Sequence, residues 1–291
     1  MSGINDVYTV REAGGRYALG VRHVFKVYRH GWRTVSQVQD EVDLVSHLRQ
    51  QGIGVAAVVP RTDGKTVSVL SAPEGERAGV LFEYAPGRQP TWPFYRDTNE
   101  AYLLGAALAD IHTAARNFPL PNRPALDADY LIHHTLALAM PLLGHRPEDD
   151  AFLQRRGKEL TVQWEQLAQN GLTPGICHGD FHCGNVFLDG AKTTAFDFDV
   201  CGTGFLAFDF ARWKTLAGNS NEGQASFAAF RAGYRSRGTW NETDDRALPL
   251  FEQLRIFDQI RLKADLIIKE QWNEWDWDFM ITDALSALRA V

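Results

Sequence analysis

Apolar residues change their spacing partway along the chain, and that change limits the architectures open to it. Short β-rich runs occupy residues 7–10, 17–21 and 24–28 and resume at 55–59, 67–70 and 79–84. A single helical stretch, 34–50, interrupts them, with Val38, Val42, Val45 and Leu48 on one face and Gly52 just past its end. Ala13-Gly14-Gly15 and Asp63-Gly64 supply turn residues. After the break at Ala85-Pro86-Gly87 the period is helical. Leu104, Leu108 and Ile111 lie one turn apart, and 151–169, 223–237, 245–268 and 278–290 follow the same spacing. Strands followed by helices predict a segregated α+β chain, with a small mainly β lobe over 1–85 and a larger mainly helical lobe over 86–291.

With 291 residues, 45% hydrophobic and 23% charged, the chain has the balance of a globular protein that buries a sizeable core. Its 30 basic and 36 acidic residues leave a net charge of −6, and no long Lys/Arg run occurs. That balance excludes nucleic acid and anionic membrane surfaces as expected partners. No apolar stretch reaches the ~18 residues of a membrane span. The opening MSGINDVYTV lacks the basic and apolar segments of a signal peptide. Three cysteines, Cys177, Cys183 and Cys201, do not pair off into a disulfide framework and suit a reducing compartment. A cytoplasmic location is the expectation; the oligomeric state is not readable.

The chemistry concentrates in CHGDFHCGNVF, residues 177–187, and AFDFD, residues 195–199. Asp180 and Asn185 lie five residues apart in a Gly-containing loop, and a following hairpin ends at Asp197. Three polar groups at one end of a hairpin suit phosphoryl transfer from ATP. One carboxylate accepts the proton of an attacking hydroxyl, while an amide oxygen and a second carboxylate hold Mg²⁺ against the phosphates. Asp180 fits the first role; Asn185 and Asp197 fit the second.

This pattern, HGDxHxGN followed by xDFD, resembles the catalytic and metal loops of the aminoglycoside phosphotransferase and choline kinase family, relatives of the protein kinases. The resemblance implies a two-lobed protein-kinase-like fold with ATP and Mg²⁺ as cofactors. It makes Asp180 the catalytic base, Asn185 and Asp197 the metal ligands, and Asp209, in Asp209-Phe210-Ala211, a buttress of the site. His178 and His182 match loop-ordering positions. Upstream, Lys26 in a strand and Glu41 on the helix match the family's phosphate-binding lysine and its carboxylate partner. The run LFEYAPG, 81–87, resembles the hinge where backbone groups near Glu83 and Ala85 meet adenine. Ser2-Gly3-Ile4-Asn5 stands where family members carry a Gly-rich turn, with Asn5 as its one expected nucleotide contact, and the first strand of the family is missing. Asn-x-VY and FKVYR are also similar to the bacterial stress-response kinase branch and the homoserine-kinase-like branch.

Two further clusters invite other readings. Cys177, His178, His182 and Cys183 carry zinc-type donors, but adjacent CH and HC pairs cannot easily converge on one ion, and small cysteines packed near the loop account for them. KEQWNEWDWDF, 269–279, offers Trp277, Asp276 and Asp278 as contacts for a cationic substrate. In the competing reading Ile268, Trp272, Trp275 and Phe279 form a core stripe at helical spacing. The expected activity is an ATP-dependent kinase acting on a hydroxyl of a small molecule, such as an amino alcohol or an aminoglycoside-like compound. The alternatives are a protein Ser/Thr kinase of the stress-response type and a nucleotide-binding pseudokinase; the presence of Asp180, Asn185 and Asp197 argues against the last.

Overall fold

The computed structural model describes residues 5–11, 23–91, 97–270 and 274–290. Strands β1 (Asp6–Val10), β2 (His23–Val27), β3 (Val67–Ala72) and β4 (Gly75–Glu83) form one antiparallel sheet in the order β1-β2-β4-β3. Helix α1 (Val35–Gln50) follows β2, and α2 (Thr98–Ala115), α3 (His134–Ala139) and α4 (Pro147–Ala168) come after the sheet. The remaining elements are β5 (Pro174–Cys177), β6 (Val186–Asp189), β7 (Lys192–Ala195), β8 (Gly202–Phe205), α5 (Ala207–Ala217), α6 (Asn221–Arg235), α7 (Glu242–Glu270) and α8 (Glu274–Arg289). A small, mainly strand N-terminal region followed by a larger helical part is the expected α+β organisation.

The chain divides into two compact units, one of Met1–Arg123, His178–Cys201 and Asn219–Thr239, the other of Pro124–Cys177, Gly202–Gly218 and Trp240–Val291. In the first, α1 starts at a capping box: the Thr34 hydroxyl accepts from the Gln37 N–H and the Gln37 side chain accepts from the Thr34 N–H. Val38, Val42, Val45 and Leu48 are all buried, as their spacing predicts. Val38 and Val42 join Tyr28, Val67, Ala78 and Val80 in the core beneath the sheet. Helices α2 and α6 cross at Gly105 and Gly233, where a Cβ on either would lie 1.9 Å from the other helix's backbone oxygen.

Residues 55–59 differ from the expected strand. On β4 the pairing with β3 reaches only Val80, so Val59 and Ala57 take the edge beyond it: the Val59 N–H donates to Leu81 O and the Glu83 N–H to Ala57 O. Val55 instead bridges to Ala195 on β7. One short run thus serves two partners and extends along neither. The expected strand at 17–21 lies outside the described residues, while β4 begins four residues earlier than its apolar run.

In the second unit α7 packs against α3, α4, α5 and α8. Trp164 lies against Phe205 and Phe251, and Phe210 stacks on Trp240 at 3.6 Å. The stripe expected from Ile268 to Phe279 is not a core stripe: Ile268 is 46% and Phe279 66% exposed, whereas Trp277 is 1% exposed. The reason is that Ile268 belongs to α7 and Phe279 to α8, while Trp272 and the side chain of Trp275 lie outside the described residues. The buried face of α8 is Trp277, Ile281, Ala284, Leu285 and Leu288, a 3.6-residue period of its own.

The buried carboxylate of Asp244 on α7 accepts from the Thr173 N–H at 2.9 Å, the Thr173 hydroxyl at 2.7 Å and the Asn241 N–H at 3.1 Å. Thr173 immediately precedes β5, whose last residue leads into His178. Asp244→Ala is expected to lower the free energy of urea unfolding by about 3 kcal/mol, the scale of stranding several buried donors.

Candidate functional site

Lys26 sits near the end of β2, opposite Val80 on β4 and Val7 on β1. Its ammonium lies 2.7 Å from Asp197 Oδ1 and 3.4 Å from Glu41 Oε1, and 4.5 Å over the Tyr28 ring. Glu41, 1% exposed, reaches it from α1. Burial alone would lower the lysine pKa, but Asp197 and Glu41 outweigh it and hold it well above the ordinary value. The side chain therefore carries a fixed positive charge.

Asp197 follows β7, which pairs with β6 in a hairpin, Val186 opposite Ala195. Extended segments flank this hairpin. The Ala195 N–H donates to Gly54 O and the Ala56 N–H to Ala195 O, while Arg88 and Leu188 exchange backbone bonds of 2.9 and 2.8 Å. Asp197 has φ +64°, a conformation that costs a non-glycine residue on the order of 1–3 kcal/mol unless its surroundings hold it.

The loop before the hairpin is ordered by its histidines. His178 accepts the Asp180 N–H at Nδ1 and donates from Nε2 to Phe196 O at 3.1 Å, which assigns the neutral Nε2–H tautomer. His182 accepts the Gly184 N–H at Nδ1, and its Nε2 lies 3.3 Å from Asp180 Oδ2. The Asn185 amide N–H donates to Asp180 O at 3.0 Å. Both ring nitrogens of His178 are thus engaged, and burial raises the pKa of the Cys183 thiol and pushes Cys201 up to about 11.

A cavity of about 450 Å³ joins these groups. Lys26, Glu41, Asp180 and Asp197 line its polar end, and Val24, Ala56, Phe82, Phe187 and Phe196 form apolar walls suited to a flat ring. Glu83 and Ala85 line it, as does Asn5. Seven predicted residues, Asn5, Lys26, Glu41, Glu83, Ala85, Asp180 and Asp197, therefore share one cavity, with Asn185 bonded to Asp180. Asp209 is fully buried at the start of α5, in the second unit. Trp277 is buried in α8, and Asp278 accepts from His145 Nε2 at 2.9 Å and from Arg146 at 3.2 Å, all in that unit. The side chain of Asp276 lies outside the described residues.

Sequence reasoning passed over Trp32, Arg33, Arg123 and Asp199. The Asp199 carboxylate accepts from Trp32 Nε1 at 2.8 Å, Arg33 Nε at 3.1 Å and Asn5 Nδ2 at 2.6 Å. Burial would raise its pKa, yet Lys26, Arg33 and Arg123 hold it well below the usual carboxylate range. The second Asp of the DFD run was the visible signal for this cluster; nothing near Arg123 in sequence announces it.

A charged lysine facing a carboxylate, with an Asp–Asn loop on the same apolar-walled cavity, defines the class: a kinase-like phosphotransferase. The chain belongs to the phosphotransferase enzyme family, APH, whose model matches residues 2–249. An uncharacterised protein of Deinococcus radiodurans is 37% identical over 258 residues, 87% of this chain and 72% of that one. Homoserine kinase of Neisseria meningitidis serogroup B is 30% identical over 236 residues, 79% and 70% of the two chains. The solved structure of the amicoumacin kinase hAmiN in complex with AMP-PNP, Ca²⁺ and Ami superposes with a TM-score of 0.73 at 20% identity, covering 99% of this chain and 86% of that chain. The fold is the protein-kinase-like fold of the APH enzymes. The protein is a kinase that transfers phosphate to a hydroxyl, and the family acts on small molecules.

Gly179, at φ +84°, enters the Asp180–Asn185 loop so tightly that a Cβ would lie 2.2 Å from Val200 O. Gly179→Ala is expected to cost more than about 1 kcal/mol in urea unfolding, since the left-handed penalty alone is of that size and Val200 must also move.

Proposed function

We propose that this kinase moves the γ-phosphate of ATP to the hydroxyl of a small amino-bearing molecule, an amino alcohol, a hydroxy amino acid or an aminoglycoside-like compound. The observation that carries the reading is the gathering of Lys26, Glu41, Asp180 and Asp197 on one cavity, with Asn185 bonded to Asp180. The homoserine kinase of N. meningitidis supports an acceptor of this class.

The apolar walls take the adenine, and backbone groups at Glu83 and Ala85 are its hydrogen-bonding edge. The Lys26 ammonium, held by Glu41, meets the α and β phosphates. Asp180 orients the acceptor hydroxyl and takes its proton, while His182 steadies the carboxylate from 3.3 Å. Asn185 and Asp197 would hold Mg²⁺. An amide oxygen and a carboxylate are the hard donors that ion prefers, and among the described residues no three His, Cys, Asp or Glu side chains form a denser metal cage. When bound, the metal neutralises charge on the transferring phosphoryl group. His178 and Asp209 support the loop without touching substrate.

Asp180→Ala and Asp197→Ala are each expected to lower kcat by at least ~100-fold while thermal melts show an intact fold. Near-normal turnover in both would overturn the assignment. The acceptor class is tested with γ-labelled ATP, Mg²⁺ and a cell extract supplemented with homoserine and ethanolamine, against an Asp180→Ala control. Label in the small-molecule fraction is the expected result. Label in protein bands would replace this reading with a protein Ser/Thr kinase of the stress-response type.

A further inference from the structure

The segment that follows Asp197 is held by one buried guanidinium. Arg123 donates from Nε to Cys201 O at 3.1 Å and from Nη2 to Phe198 O at 3.0 Å and to Asp199 O. Its Nη1 donates to Gln37 O on α1 at 3.4 Å and lies 3.9 Å from Glu41 Oε2. The Arg123 side chain is 0% exposed. A single group therefore ties the helix that carries Glu41 to the loop that carries Asp197. On the same loop, the Asp199 carboxylate is gripped by Trp32 and Arg33, the residues leading into α1, and by Asn5.

Burying a full charge to bind carbonyl oxygens is a costly way to fill a core, and apolar residues of similar volume would pack more cheaply. What the guanidinium adds is direction, because its five donors are fixed in a plane and span several acceptors at once. The residue most in need of direction is Asp197, whose positive φ has to be imposed by its neighbours.

We infer that Arg123, together with Asp199, is a positioning residue for the divalent metal, holding Asp197 in its left-handed conformation and in register with the Lys26–Glu41 pair. The inference rests on the reading that Asp197 is a metal ligand. As a positioning residue Arg123 acts not on nucleotide or metal but through the backbone on either side of Asp199. Lysine at position 123 keeps the charge but cannot reach Phe198, Cys201 and Gln37 together.

The test measures Mn²⁺ binding to the full chain in the presence of AMP-PNP by electron paramagnetic resonance, and AMP-PNP binding in EDTA by calorimetry. Arg123→Lys is expected to weaken Mn²⁺ at least ~10-fold, the scale of losing a group that orients a metal ligand, with metal-free AMP-PNP affinity changed less than about threefold. Trp32→Phe, which removes one donor to Asp199 and keeps the ring, is expected to weaken Mn²⁺ by about threefold and decides the matter if Arg123→Lys does not fold. Folded variants with wild-type Mn²⁺ affinity, or with metal and metal-free nucleotide affinity lost in equal proportion, would overturn the inference. Asp197→Asn separates the two levels. If that variant also binds Mn²⁺ normally, the metal-site reading itself fails; if it loses Mn²⁺ while Arg123→Lys does not, only the positioning role fails.

Discussion

A lysine ammonium removed from water needs negative charge close by, and here the need is met from two parts of the chain far apart in sequence. Glu41 arrives on α1 and Asp197 on the loop after β7, and Lys26 lies within 3.4 and 2.7 Å of them. The Glu41 carboxylate, 1% exposed, would be stranded without the cation, and the cation would not stay charged without the two carboxylates. Much of the first unit serves to keep these three groups together. The sheet places Lys26 between β1 and β4, the apolar face of α1 seats the helix on that sheet, and the flanking segments 54–56 and 87–88 hold the β6–β7 hairpin.

The polar cluster behind Asp197 works on different physics from the core beneath the sheet. Val38, Val42, Tyr28 and Val80 are non-directional and would tolerate neighbours of similar volume. Trp32, Arg33, Arg123 and Asp199 are directional, and Trp32, Arg33 and Arg123 each donate to an acceptor within residues 198–201. A strained backbone at Asp197 fits the second environment, since only directional contacts can impose a particular φ.

What could be read from sequence was what is local. The face of α1 was legible because its four apolar residues share one helix, and the Asp180–Asn185–Asp197 set because its members lie within one loop and hairpin. Lys26 and Glu41 were legible only through their likeness to a family. Arg123 was not, since its partners Gln37, Glu41, Phe198 and Cys201 are remote in sequence and mostly backbone oxygens, which every residue possesses. The run 55–59 was misread because its β character is real while its two partners compete for it. Ile268 and Phe279 were misread as one core stripe because a period counted from α7 to α8 has no meaning on either helix. Trp277, which falls off that counted stripe, belongs to the buried face of α8.

The bridges of Val55 to Ala195 and of Arg88 to Leu188 also bear on how the protein is made. The β6–β7 hairpin is synthesised long after the segments 54–56 and 87–88 that flank it, with α2, α3 and α4 emerging from the ribosome in the interval. At the ~5–20 residues per second typical of translation, on the order of ten seconds pass with Gly54, Ala56 and Arg88 offering unmet backbone groups. During that time those extended segments are open to pairing with other chains, so the arrival of the hairpin is a late closure against aggregation.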